Sequence, residues 1–333
     1  MQGIALKKAV SVLFIVLWLC GASRAFQSQP ARSVAITFDD LPGIVHAKGD
    51  DLAAIQAINR KLLQVLKNHH VPATGFVVGT NTLDRGNAKE RVAILQEWLS
   101  AGMAIGNHSY SHLDFNTVTV GQFERDTIRG EGALRPVLER NSRPLRFFRF
   151  PYNHVGDTAA KKLEFQHFLA DHHYEIATCT VENSDWAFDV LYYDNSSNHD
   201  AAGMQRVRDA YVKTTEEAFA YYEKMSAQLF GHEIPQTMLM HVNELNADSL
   251  DGILNMLEKR GYRFVSLAEA QSDPAYQTPD SYVGPDGRLW IHRWAPAKGR
   301  KDDFDHRPLP PRWVLNEYTR LTQRQTPPYN LGN

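Results

Sequence analysis

Apolar positions along the chain fall into two alternating textures. Short, mostly apolar runs recur at "SVAITF" (33–38), "ATGFVV" (73–78), "MAIGNH" (103–108), "LRFFRF" (145–150), "YEIATCTV" (174–181), "TMLMHV" (237–242) and "YRFVSL" (262–267). Their length and their β-branched and aromatic content predict strands. Between them lie longer stretches with apolar residues at helical spacing: 52–69, 88–102 closed by Gly102, 120–139 with Pro136 as a kink point, 157–171, 204–229 and 248–260. Strands that alternate with helices predict βαβ units and a parallel sheet. Strands this apolar are covered on both faces. No glycine-rich phosphate turn follows the first strand. That favours an α/β fold of the distorted, closed or incomplete (β/α)7 barrel type over an open doubly wound sheet.

The alternation stops at both ends. Lys7 and Lys8 precede the apolar run 9–20, and Ser23-Arg24-Ala25 follows. A charged region, an apolar region and a small-x-small site predict a secretory signal peptide over 1–25. The run is shorter than the about 20 residues that cross a bilayer. No stable membrane span is therefore expected after cleavage, and the protein is expected to be exported, periplasmic or extracellular. Cys20 offers a lipoprotein alternative, which the bulky Leu19 before it disfavours. After residue 271, proline, glycine and aspartate become frequent, and Trp290, Trp294 and Trp313 stand among them. Residues 272–333 read as an irregular extension packed on the barrel, with Trp290 and Trp294 docking it.

Composition narrows the function classes. At 333 residues, with 43% hydrophobic and 22% charged residues, the chain can bury a sizeable core. Its formal net charge is −2 and it has no lysine- or arginine-rich run, so no field draws it to nucleic acid or anionic lipid. Loss of the leader leaves Cys179 as the one cysteine, so no internal disulfide is expected.

The chemistry sits at strand ends. In such a barrel, reactive residues collect at the C-terminal ends of the strands. The first strand ends in Thr37-Phe38-Asp39-Asp40 and the third in His108, with His112 four residues on. The fourth ends in Arg149-Phe150-Pro151-Tyr152, the fifth runs into Glu182-Asn183-Ser184-Asp185-Trp186, and the sixth holds Leu239-Met240-His241. Histidines at i and i+4 share a face of a helical turn. Two imidazoles and one carboxylate, with Asp40 as the natural third, make a facial ligand set with open positions. Serine after His108 rules out the zincin motif. Adjacent Asp39 and Asp40 repel when buried and ionised, and a dication relieves that. Alternation along a strand gives the two aspartates different roles. Each signal alone has a plainer reading: hydrogen-bonded histidines, a capping aspartate, a structural Arg149–Asp185 ion pair, a Pro151-Tyr152 turn, and Trp186 and His241 in the core. Together, in order and at strand ends, they favour a metal site.

"TFDD", "HSYSH", "RFPY", the "DW" of 185–186 and "LMH", in this order, resemble the five motifs of the polysaccharide deacetylase family (NodB homology domain, carbohydrate esterase family 4). The resemblance covers about 33–268. It implies a catalytic domain over 26–271, with a helical insert at about 187–236. It implies Asp39 as general base and Asp40, His108 and His112 as ligands of one divalent metal, usually Zn2+, with Co2+, Ni2+ or Mn2+ as other candidates. Arg149 would orient the base and Asp185 would hold Arg149. The Tyr152 N–H would stabilise an oxyanion, Trp186 would wall the sugar subsite, and His241 would be the general acid. Family members often carry aspartate where Glu182 stands and glycine where Asn153 stands. The implied activity is removal of acetyl groups from N-acetylated sugars in peptidoglycan or a chitin-like glycan. The insert and the extension leave two alternatives: a non-carbohydrate amide or O-acetyl ester substrate, and a catalytically dead sugar-binding protein.

Overall fold

β1 (Arg32–Leu41) is buried along nearly its whole length and forms the axis of a parallel sheet. The computed structural model describes residues 32–43 and 51–323, so the expected leader and Cys20 lie outside the described residues. After β1 come α1 (Leu52–Asn68), β2 (Thr74–Val77), α2 (Gly79–Leu83), α3 (Ala88–Ser100), β3 (Ala104–Asn107) and α4 (Val120–Arg140). Then follow β4 (Phe147–Phe148), α5 (Ala159–Asp171), β5 (Glu175–Ile176), β6 (Val181–Glu182), α6 (Asp185–Ser197) and α7 (Ala201–Phe230). β7 (Gln236–His241), α8 (Glu244–Lys259), β8 (Tyr262–Phe264) and α9 (Leu267–Ala270) complete the repeating part. The extension adds α10 (Trp290–Trp294) and α11 (Arg312–Thr322).

The strand order is β5-β4-β3-β2-β1-β7-β6, with β8 paired to the start of β1. This is an incomplete (β/α)7 barrel. The stretch expected as one strand over 174–181 is two. Its first half pairs with β4 and its second half with β7, so the same segment leaves one edge of the sheet and joins the other. At the handover the Gln271 amide replaces a strand: its Oε1 accepts from Thr178 N at 2.8 Å and its Nε2 donates to Ile176 O at 3.1 Å. An edge that would present bare backbone groups is thereby covered.

Period-two alternation along β1 separates two apolar layers. Val34, Ile36 and Phe38 join the large core under the helices, whereas Ala35 joins a small inner cluster with Phe76, Phe147 and Ala177. Thr37 and Asp39 continue the Ala35 face. The inner face therefore turns polar toward the strand's C-terminal end, where the candidate residues gather. Helix starts follow local chemistry: Asp51 accepts from Ala53 N and Ala54 N at the head of α1, and Thr119 and Gln122 form a reciprocal capping box on α4. α4 runs through Pro136 as one helix. The stretch 185–197 is a separate helix ahead of the long one expected from 204 and lies largely within the expected helical insert; Ser184, at φ 56°, breaks the chain just before it.

Candidate active site

The end of β1 brings both aspartates to the same rim. The register with β2 slips between Phe38 and Leu41, and Asp40 takes φ 70°. That irregularity overrides the alternation that would send neighbouring side chains apart. Asp40 Oδ1 lies 3.7 Å from His108 Nε2 and 3.5 Å from His112 Nε2. Asp39 Oδ2 lies 3.7 Å from His108 Nε2.

His108 and His112 sit on an irregular loop and not on the helical turn that their spacing suggested. Ser109 at φ 65° and His112 at φ 53° break any helix. The loop is held from α4: Asp126 Oδ2 accepts from Tyr110 N at 3.1 Å and Ser111 N at 3.0 Å. Gly130, one turn further along α4, lets the loop approach, since a Cβ there would meet Asn107 Oδ1 at 2.7 Å and Ser109 C at 2.9 Å. Asn107 Oδ1 also accepts from Ser109 N at 2.9 Å. No sequence pattern marked Asp126, Gly130 or Asn107.

One atom from each of Asp40, His108 and His112 lies within 4.8 Å of the others, the one such cluster among the described residues. The donor set fits a divalent cation. His108 Nδ1 donates to Arg149 O at 2.8 Å, which leaves the Nε2 lone pair aimed at the cluster. Burial, and then His112 beside it, hold His108 well below the usual imidazole pKa, so it is neutral as a ligand must be.

Asp39 is buried, and its Oδ1 has no hydrogen-bond partner among the described residues. Burial pushes its carboxyl up, and Arg149 and His241 pull it back only in part. Arg149 is fully buried, with Nη1 3.7 Å from Asp39 Oδ2, Nη2 donating to Thr37 Oγ1 at 3.0 Å, and its guanidinium 4.7 Å from the Phe76 ring centroid. Asp39 and His241 are registered opposite one another on β1 and β7.

Asp185 is placed differently from the family expectation. It does not hold Arg149. Its Oδ1 accepts from His241 Nδ1 at 2.7 Å, and its Oδ2 from His241 N at 2.6 Å and Asn246 Nδ2 at 2.5 Å. The reason is position: Asp185 opens α6, beyond β6, and β6 pairs with β7, which carries His241. Burial alone would lower the His241 pKa, but the Asp185 carboxylate outweighs it and raises it to about 10. Asn246, whose Oδ1 accepts from Tyr211 OH at 2.5 Å, completes this support and carried no sequence signal.

Tyr152 follows β4 at φ 58° and is 55% exposed, its ring 4.6 Å from that of His112. His154 reaches the same rim, with Nδ1 2.7 Å from Asp114 Oδ1. Trp186 packs edge-on against Tyr318 of α11 at 5.1 Å. Glu182 is pushed up by burial. Cys179 is buried, donates to Asn153 Oδ1 at 3.2 Å, and has its thiol pKa pushed up by burial to about 12.

Residues 26–168 match the family model described as polysaccharide deacetylase. The chain is 25% identical over 240 residues to a peptidoglycan-N-acetylglucosamine deacetylase of Bacillus cereus, covering 70% of this chain and 66% of that protein. It is 30% identical over 127 residues to a chitooligosaccharide deacetylase of Sinorhizobium fredii, covering 38% of this chain and 50% of that one. A peptidoglycan-N-acetylmuramic acid deacetylase of Bacillus subtilis is 24% identical over 66% of this chain and 68% of its own length. The chain thus spans about half to two thirds of the curated relatives it matches. Residues 26–168 thus match the polysaccharide deacetylase family model, and the Bacillus cereus relative extends the similarity over 70% of the chain.

Proposed function

We propose that the protein is a divalent-cation-dependent hydrolase that removes acetyl groups from N-acetylated sugars of a peptidoglycan- or chitin-like glycan. The observation that carries this is the convergence of Asp40, His108 and His112 beside a buried, under-bonded Asp39, with His241 registered opposite. The activities of the relatives, a peptidoglycan-N-acetylglucosamine deacetylase and a chitooligosaccharide deacetylase, support a glycan amide as the substrate class.

Asp40, His108 and His112 would hold the cation, and imidazole–carboxylate donors suit zinc. When bound, such a cation lowers the pKa of a coordinated water to about 7 and polarises the acyl carbonyl. Asp39 takes the water's proton through Oδ1, while Arg149 beside Oδ2 keeps the carboxylate oriented. The Tyr152 N–H donates to the developing oxyanion, a contribution of about 3 kcal/mol in comparable sites. His241 gives its proton from Nε2 to the nitrogen that leaves as the amino sugar, because Nδ1 is engaged by Asp185. Acetate is the other product. Trp186 and the exposed Tyr152 ring flank the sugar.

We assign residues 26–271 to the catalytic domain, with the helical insert at about 187–236, and 272–333 to an extension. Export by a leader over 1–25 would place the enzyme in the periplasm or outside the cell. No helix of the described residues is long and apolar enough to cross a membrane.

Purified protein, analysed for bound metal and assayed for acetate release on acetylated glycans before and after chelation, tests the proposal. Chelator-sensitive release from N-acetylglucosamine oligomers is expected. Acetate released only from O-acetylated xylan would move the substrate to an ester, and glycan binding without turnover in metal-replete protein would end the enzymatic assignment.

A further inference from the structure

We infer that Arg293, carried by the C-terminal extension, is a positioning residue that locks the Tyr152–Asn153 turn and so aims the Tyr152 N–H. This rests on the role proposed above for Tyr152.

Tyr152 and Asn153 have φ of 58° and 55°. Two consecutive non-glycine residues in the left-handed region are costly and persist where the surroundings over-determine them. Here the determining contacts come from far along the chain. Arg293 is 1% exposed. Its Nη2 donates to Asn153 O at 2.8 Å and its Nε to Arg288 O at 2.8 Å, and its Nη1 faces Asp280 Oδ2 at 3.3 Å. Asp280 is itself held by Lys162 Nζ at 2.8 Å. The buried guanidinium charge is thereby compensated, as burial requires. The neighbouring Tyr152 carbonyl lies under Gly287, where a Cβ would sit 2.0 Å from the oxygen. The extension therefore closes on both carbonyls of the turn.

This fixes the donor because of peptide planarity. Pro151 O and the Tyr152 N–H belong to one plane, and His154 N donates to Pro151 O at 3.0 Å. Asn153 N donates to Phe150 O at 3.2 Å. Rotation at Asn153 would break these bonds and tilt the plane that carries the Tyr152 N–H. A planar fork with three directed donors holds a carbonyl, a second carbonyl and a carboxylate at once, which an ammonium does less well.

The test compares wild type, R293A, R293K and R293A/N153G by kcat, KM, bound cation and thermal melting. R293A is expected to lower kcat by roughly tenfold or more, the scale of a misplaced oxyanion donor, with KM and cation content little changed. R293K should fall between. R293A/N153G should recover much of the loss, because glycine adopts positive φ unaided. If R293A does not fold, R293K and R293K/N153G are read in its place. A folded variant with wild-type kcat overturns the inference, as does a kcat loss that Asn153→Gly leaves uncorrected. If wild type itself turns over no acetylated substrate, the proposed function fails separately. Amide exchange at Tyr152 and Asn153 then decides: faster exchange in the variant supports the lock, and unchanged exchange overturns it.

Discussion

Asp185 grips His241 from two sides, through the ring Nδ1 at 2.7 Å and the backbone N–H at 2.6 Å. One carboxylate thus sets both the charge of the imidazole and the direction of its free nitrogen. Asp185→Asn removes the charge that raises His241 to about 10. If protonated His241 is the acid, activity persists until pH rises through its pKa. A cation beside Asp40 lowers that pKa somewhat, so the basic limb in the wild type lies at or below about 10. In the Asn variant the basic limb of the kcat/KM profile should move down toward the ordinary imidazole value of about 6.5. An unmoved limb would assign it to another group.

Ligand and base variants should separate. His108→Ala and Asp40→Ala are expected to lose cation and turnover together, measured by metal analysis and acetate release. Asp39→Asn should keep the cation and lose about 10²–10⁴-fold in kcat, the usual range for a general base. Near-normal turnover in Asp39→Asn would mean that another group takes the proton.

Gly130→Ala sets two effects against each other. Alanine favours a helix interior by about 1 kcal/mol over glycine. Its Cβ would press on the Ser109 backbone at 2.9 Å, which carries the two histidines. Overpacking of this kind costs about 1–3 kcal/mol. A lower melting temperature and weaker cation binding are expected; a raised melting temperature would show that the loop gives way freely.

His69 gives a pH dependence remote from the site. Burial pulls its pKa down, but hydrogen bonds to Asp251 and Glu258, at 2.9 and 3.0 Å, raise it above 6.5. A raised folded pKa means stability fully present below pH 6.5 and lost as pH climbs through the folded value. Both carboxylates are well exposed, so screening limits the effect to about 0.2–1 kcal/mol. Melting temperature should fall by at most about 1.5 °C over that window, and His69→Ala should flatten the trend. A variant that keeps the full slope would place the titration elsewhere.

The barrel was legible because the apolar runs of β1, β2, β3 and β7 are continuous and the helices between them keep their period. The split at 177–180 was not, since a strand that changes partners keeps the same local composition. The clustering of Asp40, His108 and His112 could be anticipated because strand ends in such a fold share one rim. Their supports could not. Asp126, Asn246 and Arg293 reach Ser111, Asp185 and Asn153, which lie 15, 61 and 140 residues away in sequence, and nothing local distinguishes them from surface polar residues. The Asp185–His241 pair was missed for a related reason: an expected ion pair with Arg149 satisfied charge arithmetic, whereas the β6–β7 register decided geometry.

Cys179 has a consequence for how the protein tolerates oxidants. Thiol–disulfide exchange needs a thiolate and a path for the attacking sulfur. Cys179 offers neither, being wholly enclosed with its proton held up to about pH 12. Glutathione adducts, sulfenic acid formation and intermolecular crosslinks through this sulfur are therefore suppressed in the folded state. The folded protein therefore tolerates a wide range of redox poise at this sulfur.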